Sequence, residues 1–501
     1  MTNAEALFVG LDVGTTGARA SAIDLNGKVR CEARRAYPTS TPQPGWAEQD
    51  PRDWHDCALQ ALAGLATSAD LPVANVRAIG LTGQCPTVAP MDSTRQPVGP
   101  GLLYRDNRAT GQAAEMRQRI GDQAMHQRTG HLPSAFHVGP KVLWLREHQP
   151  AVFAAADCFM QPRDVVLHAL TGVTRTDETH ANSTLFFDLR ARAWADDLLN
   201  AFSLSSQLFP AVVKPREQIG SITRGVAEDT GLPAHCPVII GAADSQCAAY
   251  GSDVLVPGPI SEMSGASSCL NSVVAEPSSD PRITHYSHVV PDCYCTELGL
   301  NVTGGALSWA IERFRMKGFD ELEAAAARVL SRLAAGQISS PCGRAPLFLP
   351  YLGDGERDDP ALRAAFIGLS DRHGNDELAY AVLEGLAFAV TESVSVLTDA
   401  GSPLDELRVG GGGARLPTLG QLKANALESP VRHLAHDSAP VGAALLAAGQ
   451  AGYATEGRAA LKANLQRAET FEPDPTSSEA IRERYRWFLE VRNTSAVRLQ
   501  A

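Results

Sequence analysis

The sequence predicts an α/β protein built from two domains. Three observations carry this reading. The chain has 501 residues, more than one hydrophobic core ordinarily serves, so two domains of roughly 200–250 residues are expected. Apolar, strand-like runs alternate with segments whose apolar residues recur at helical spacing. A strand, a small-residue turn and a second strand occur near the start and again about 250 residues later, the pattern of a structural duplication.

The elements follow in order. Leu7–Val13 is a mostly apolar strand, Gly14-Thr15-Thr16-Gly17 a turn, and Ala18–Asp24 a second strand. Asn26-Gly27 is a hairpin signal, with Lys28–Tyr37 as the third strand. Asp50-Pro51 opens a helix on which Trp54, Cys57, Ala58, Ala61, Leu62 and Leu65 recur at helical spacing. Val76–Thr82 is a strand ending at Gly83-Gln84. Val238–Gly241 is a buried strand running into Ala242-Ala243-Asp244. Gly258–Met263 and Cys269–Val274 are strands flanking the turn Ser264–Ser268. Asn375 is expected to cap a long helix with Leu378, Val382, Leu386, Val390, Val394 and Leu397 on one face. Leu407–Val409 runs into four glycines, 410–413, and Pro417 is placed to begin a helix. Without a low-complexity linker, the boundary near 245 reads as a tight hinge between domains 1–245 and 246–490.

Composition narrows the function. Apolar residues are 44% and charged residues 20% of the chain, as in ordinary globular proteins. The net charge of −12 argues against nucleic acid as a partner, which needs a basic face. The start of the chain lacks a basic segment before its apolar run, and that run is broken by Asp12, so it does not read as a signal peptide. No eighteen consecutive apolar residues occur, and no membrane span is expected. Ten cysteines are scattered without a C-x-x-C pair, as expected of free thiols in a reducing cytoplasm.

Two turns carry phosphate chemistry. Glycines at 14 and 17 let successive N–H groups point at one spot, the threonine hydroxyls add donors, and Asp12 can hold a hydrated Mg²⁺. An ordinary hairpin turn is the bland alternative. Ser264–Ser268 offers the same donors without a carboxylate. G-x-x-x-x-G-K-[ST] is absent, so neither turn is a P-loop. The four glycines leave room for a flat ligand against the backbone, and they do not complete G-x-G-x-x-G. Asp244, just past a buried strand, stands where α/β proteins place ligand chemistry, although Asp is also a good helix N-cap.

At this point the residues resemble the FGGY carbohydrate kinases. Gly10-x-Asp12-x-Gly14-Thr15-Thr16-x-x-Arg19 is similar to that family's first phosphate motif, and Trp46–Pro51 to the segment before its first long helix. Lys141–Leu145 matches the first family signature, with Val138 where Pro, Ser or Thr is usual. Leu347–Leu352 and Glu356-Arg357 resemble the xylulokinase-like members. Residues from Ala364 through Phe366, Gly368, Leu369, Glu377, Leu378 and Ala381 to Glu384 fit the second signature at every defined position.

The resemblance implies two actin-like domains of the actin/hexokinase/Hsp70 type closing over a cleft, with sugar mainly on the first and MgATP mainly on the second. It implies ATP-dependent phosphorylation of a hydroxyl, expected to be a terminal primary one, on a small sugar or polyol. The protein would be cytoplasmic, with room for a homodimer. Asp244 aligns with the catalytic base and Asp12 with the metal-associated carboxylate. Thr15, Thr16, Arg19, Gly265, Ser267, Gly304, Gly305, Gly412 and Gly413 align with nucleotide- and phosphate-binding positions, Ala266 replacing the usual Thr. Gln84, Cys85, Pro86, Tyr104, Arg105 and Ser245 fall on the substrate side, in a charged segment that continues through Asp106 and Arg108. Cys85-Pro86 stands where xylulokinases carry Met-His and glycerol kinases Arg-Glu, so the substrate pocket is expected to be altered. A nucleotide-gated or sugar-binding protein without turnover is the alternative, against which a retained Asp244 argues.

Overall fold

A computed structural model of the chain describes residues 6–68, 71–335, 345–353, 356, 359 and 361–494. Arg357 and the first five residues, both used above, lie outside the described residues. Two compact units share the chain. The first draws on residues 1–255, 274–296 and 437–466, the second on 256–273, 297–436 and 467–501.

In the first unit the strands lie in the order Gln218–Ser221, Pro237–Ala243, Val76–Gly83, Leu7–Val13, Gly17–Asp24, Val29–Ala36. Leu7–Val13 pairs antiparallel with Gly17–Asp24 and parallel with Val76–Gly83, which pairs parallel with Pro237–Ala243. Alternating side chains of the central strand face opposite ways, as a period of two demands. Leu7, Val9, Leu11 and Val13 pack with Trp54, Ala58, Ala61 and Leu62 of the helix Pro51–Ala66. Asp50 caps that helix, its carboxylate accepting from the Arg52 N–H at 2.9 Å. Phe8 faces the other way, into a cluster with Ala78, Ile239, Val441 and Ala443.

That second face explains why the first unit is discontinuous in sequence. The helix Ser438–Gln450 lies against the sheet so closely that side chains are excluded. A Cβ on Gly10 would stand 1.8 Å from the Pro440 carbonyl oxygen, and one on Gly80 would stand 2.0 Å from that of Ala443. Burial of this helix contributes a large apolar area that the strands alone could not cover.

The second unit repeats the topology. Its strands run Tyr294–Leu300, Ser268–Val274, Gly258–Ser264, Leu404–Gly411, Val431–His433, Glu469–Phe471. Gly258–Ser264 pairs antiparallel with its successor and parallel with Leu404–Gly411, which pairs parallel with Val431–His433. In both units the first strand therefore lies between its antiparallel successor and a later parallel strand, which itself pairs parallel with a further one. The duplication expected from the two turns is present at the level of sheet topology.

One expectation needs correction. Asn375 is the first residue of the helix Asn375–Asp399, and Gly374 is its N-cap. The Gly374 N–H donates to Glu377 at 3.0 Å, while the Asn375 amide donates instead to the Phe314 carbonyl at 3.1 Å. That helix is also long and apolar enough, by length and composition, to cross a membrane. Its apolar window is 72% buried inside the protein, and every residue from Ala379 to Thr391 is buried, so it reads as a core helix, apolar all round.

Candidate active site

The carboxyl ends of three parallel strands meet along one edge of the first sheet. Asp12 lies beside Thr82, and Thr82 lies beside Ala242. Thr82 Oγ1 donates to the Ala242 carbonyl at 2.9 Å. The next residues on each strand are thereby delivered side by side: the Gly14–Gly17 turn, Gln84-Cys85, and Asp244-Ser245. Asp244 begins the helix Asp244–Gly251, whose N-cap is Ala243, so the cap reading of Asp244 does not hold. One Asp244 oxygen accepts from the Ser245 N–H at 2.9 Å.

The first turn is tied down from behind. Gly14 N–H donates to the Gly17 carbonyl at 3.1 Å. The Gly14 carbonyl accepts from the Tyr37 hydroxyl and from Gln84 Nε2 at 3.3 Å. The Thr15 carbonyl accepts from Gln49 Nε2 at 2.7 Å, and that of Thr16 accepts from the Tyr37 N–H at 3.4 Å. Gln49 Oε1 in turn accepts from Gln84 Nε2 at 3.0 Å and from Trp54 Nε1 at 2.8 Å. With its carbonyls drawn inward, the turn has the form of a nest suited to an anion. Gln84 is buried and spends its amide on this scaffold, which gives it a positioning task at the turn.

Asp12 sits beneath the turn. Its Oδ1 is buried and has no hydrogen-bond partner among the described residues. Burial first, and then Asp437, push its carboxyl up to about 7 against the pull of Arg19 and Arg34. Arg19, opposite Asp12 on the neighbouring strand, is bonded to Asp437. A carboxylate pair of this kind, with an unpaired oxygen, suits a hard cation that keeps most of its waters and takes one or two protein carboxylates.

Beside Gln84, Cys85 is half-buried and Pro86 buried, joined by a cis peptide. Tyr104 meets Phe136 edge to face at 5.9 Å between centroids, whereas Arg105 is exposed. Asp106 and Arg108 serve the scaffold. Arg108 donates to Asp106 at 2.8 and 2.7 Å, pairs with Glu48 at 2.7 Å and lies 3.6 Å over the Trp46 ring. Lys141 is buried, and its ammonium donates to the carbonyls of Ala135, Phe136 and His137 at 2.7, 2.6 and 3.2 Å. It thereby gathers the loop that carries the aromatic partner of Tyr104.

In the second unit the Ser264–Ser268 turn is closed by Gly265 N–H donating to Ser267 at 2.8 Å. The N–H groups of Gly304 and Gly305 donate to the carbonyls of Gly265 and Ala266 at 3.1 and 3.0 Å. These two glycines thus hold the turn against the start of the helix Gly304–Arg313. Two of the four glycines, Gly411 and Gly413, have a packing reason. Gly411 has φ +88°, and a Cβ there would lie 2.4 Å from the Ser264 carbonyl oxygen; one on Gly413 would lie 2.3 Å from Ser264 Oγ. Gly412 is exposed with no such crowding.

Sequence reasoning missed an ion pair under this turn. Lys423 and Glu262, both buried, are 2.6 Å apart, and Glu262 accepts from Ser268 Oγ at 3.2 Å. Ser268 Oγ is 2.9 Å from Thr303 Oγ1. Glu262, Lys423 and Thr303 line a small cavity with Ser264, Gly304, Leu307 and Leu419. The available signal was a glutamate inside an otherwise buried strand.

Residues 7–251 match the FGGY family of carbohydrate kinases, N-terminal domain, and residues 262–451 match the C-terminal domain of the same family. The chain belongs to the FGGY family of carbohydrate kinases. It is a phosphotransferase of sugars with the two-domain, actin-like α/β architecture of that family, and members use ATP. Xylulose kinase of Bacillus subtilis is 29% identical over 89% of this chain and 88% of its own. Glycerol kinase of Bordetella parapertussis is 27% identical over 97% of both chains. Among solved structures, xylulose kinase from Rhodospirillum rubrum superposes with a TM-score of 0.84, is 31% identical, and is matched over 97% of this chain and 98% of its own.

Proposed function

We propose that this kinase moves the γ-phosphoryl group of ATP to a terminal primary hydroxyl of a small ketose or polyol, with Asp244 as general base. The observation that carries the reading is the alignment of Asp244 with the Gly14–Gly17 turn across the Thr82–Ala242 bond. The Asp244 carboxylate takes the hydroxyl proton as the oxygen attacks phosphorus, and the bond from phosphorus to the bridging β–γ oxygen breaks. Thr15, Thr16 and Arg19 on the first domain, and Gly265, Ser267 and Gly412 on the second, contact the phosphates and nucleotide. Asp12, with its unpaired buried oxygen, and the neighbouring Asp437 would hold Mg²⁺ through water. When bound, Mg²⁺ supplies neutralisation of phosphate charge.

The sugar lies against Gln84, Cys85, Pro86, Tyr104, Arg105 and Ser245. Proline has no N–H and a thiol is a weak donor, so this wall discriminates little by hydrogen bonding. The preferred substrate is a ketose or polyol that is deoxygenated, branched or differently configured near Cys85 and Pro86. Relatives at similar identity carry the names xylulose kinase and glycerol kinase, which is consistent with a pocket that varies within one scaffold. A panel of C3–C7 ketoses and polyols assayed for ATP-dependent phosphorylation tests the reading. Turnover of at least one is expected, and binding without turnover across the panel would overturn it.

A further inference from the structure

The strand that delivers Asp244 is not regular. Its ladder with Val76–Gly83 pairs Ile239 with Gly80 but Ala242 with Thr82, so Ile240 and Gly241 together oppose Leu81. This is a β-bulge, and Gly241 has φ +66° there; a Cβ would stand 1.7 Å from the Leu81 carbonyl oxygen. Bulges re-aim the side chains that follow them. Here the residues that follow are Ala242, Ala243 and Asp244.

A buried network is fastened to both sides of the bulge. Arg163, fully buried, donates from Nη1 to the Ile240 carbonyl at 2.9 Å and from Nη2 to Asp177 at 2.7 Å. Asp177 also accepts from the Thr179 hydroxyl at 2.6 Å, from the Thr179 N–H at 2.7 Å and from the His180 ring at 2.6 Å. Thr179 Oγ1, its proton committed to Asp177, accepts the N–H of Ala243 at 2.8 Å. The Ala242–Ala243 peptide, one link before Asp244, is therefore held by a hydroxyl that a carboxylate orients.

Burying an arginine and an aspartate is a poor way to gain stability, because desolvation offsets much of their attraction. Such networks fix geometry instead. We propose that Thr179, held by Asp177 and Arg163, is a positioning residue that sets the direction of the Asp244 carboxylate. The inference rests on the reading of Asp244 as the base. Arg163 locks the bulge on one side, Thr179 locks the exit on the other, and a shift of the order of 1 Å at a reacting group costs about 100-fold.

The test uses the full chain with ATP and the fastest sugar of the C3–C7 panel. Thr179→Ala should lower kcat about 10–100-fold while the sugar Kd stays within about threefold. Thr179→Ser, which keeps the hydroxyl, should recover kcat to within about threefold of wild type. A Thr179→Ala kcat near wild type, a parallel loss of kcat and sugar binding, or no recovery in Thr179→Ser would each overturn the proposal. If Thr179→Ala does not fold, Arg163→Lys decides: lowered kcat with unchanged sugar Kd supports it, and unchanged kcat overturns it. Asp244→Asn run alongside separates the two readings. An active Asp244→Asn removes the base itself, whereas an inactive Asp244→Asn beside a fully active Thr179→Ala removes only the positioning role.

Discussion

The Thr82 hydroxyl and the Ala242 carbonyl are joined at 2.9 Å although 160 positions separate them in sequence. This bond levels the ends of two parallel strands, one leading to Gln84 and Cys85, the other to Asp244. Thr82→Val removes the donor from a buried carbonyl that the weak Cys247 thiol also approaches. A cost of about 1–3 kcal/mol is expected, read as a fall in the midpoint of thermal or urea unfolding. An unchanged midpoint would show that the bond contributes nothing.

Gly10→Ala should be far more damaging. Its Cβ would collide with the Pro440 carbonyl oxygen at 1.8 Å, which is backbone and cannot rotate away. Separating the helix Ser438–Gln450 from the sheet would expose Phe8, Val441 and Ala443, each of which is buried. Overpacking of a core typically costs 1–3 kcal/mol, and a clash with backbone belongs at or above the upper end. Soluble expression and the unfolding midpoint report this; a variant as stable as wild type would refute the close packing.

Acid should weaken the fold in two stages. Burial, aided by His126, holds His285 down at about 4, and burial with Arg216 does the same for His288. The neutral rings suit the fold, so their contribution is complete above the ordinary His value of about 6.5 and is lost as pH falls through about 4. Burial alone would raise Asp177, but Arg163, His180 and Thr179 outweigh it and hold the carboxyl at about 2. Its contribution is complete above about 4 and is lost as pH falls through about 2. Each group contributes on the order of 2–3 kcal/mol at neutral pH. Unfolding midpoints between pH 8 and 2 should decline first below about 6.5, and His285→Gln should flatten that first stage. Asp12, pushed up to about 7, takes up its proton over the same range and offsets part of the decline. The decisive comparison is therefore wild type against His285→Gln: the same profile for both between about pH 6.5 and 4 would contradict the burial of a neutral ring at His285.

Much of the fold was legible because local patterns report local facts. The apolar run Leu7–Val13, the Gly/Thr turn, and Asp50-Pro51 before a helical repeat all match the observed elements. Periodicity names which face is buried and cannot name the partner. Arg19 with Asp437, Lys423 with Glu262, and Thr179 with Ala243 join residues 418, 161 and 64 positions apart. None of these pairs leaves a mark on its own segment beyond a polar residue in a buried stretch. The cap of the long helix misled for a related reason. Asn375 is a favoured capping type, but its amide is spent on Phe314, and Glu377 reaches back to Gly374 instead.

D-xylulose should be at best a mediocre substrate. Loss of one hydrogen bond at the Cys85-Pro86 wall costs about 0.5–1.5 kcal/mol, or roughly 2–10-fold. Pro86→His should raise kcat/KM for D-xylulose relative to the preferred sugar. D-xylulose at the top of the panel, near about 10⁴ M⁻¹s⁻¹ or better, would show that another group supplies the contact.

The central claim is that Asp244 removes the proton of the accepting hydroxyl. It is tested most directly by kcat and sugar Kd for Asp244→Asn, measured with saturating MgATP. A general base contributes roughly 10²–10⁴-fold, so kcat should fall at least about 100-fold while sugar Kd stays close to wild type. A variant that keeps more than about a tenth of the wild-type kcat would remove Asp244 from the mechanism.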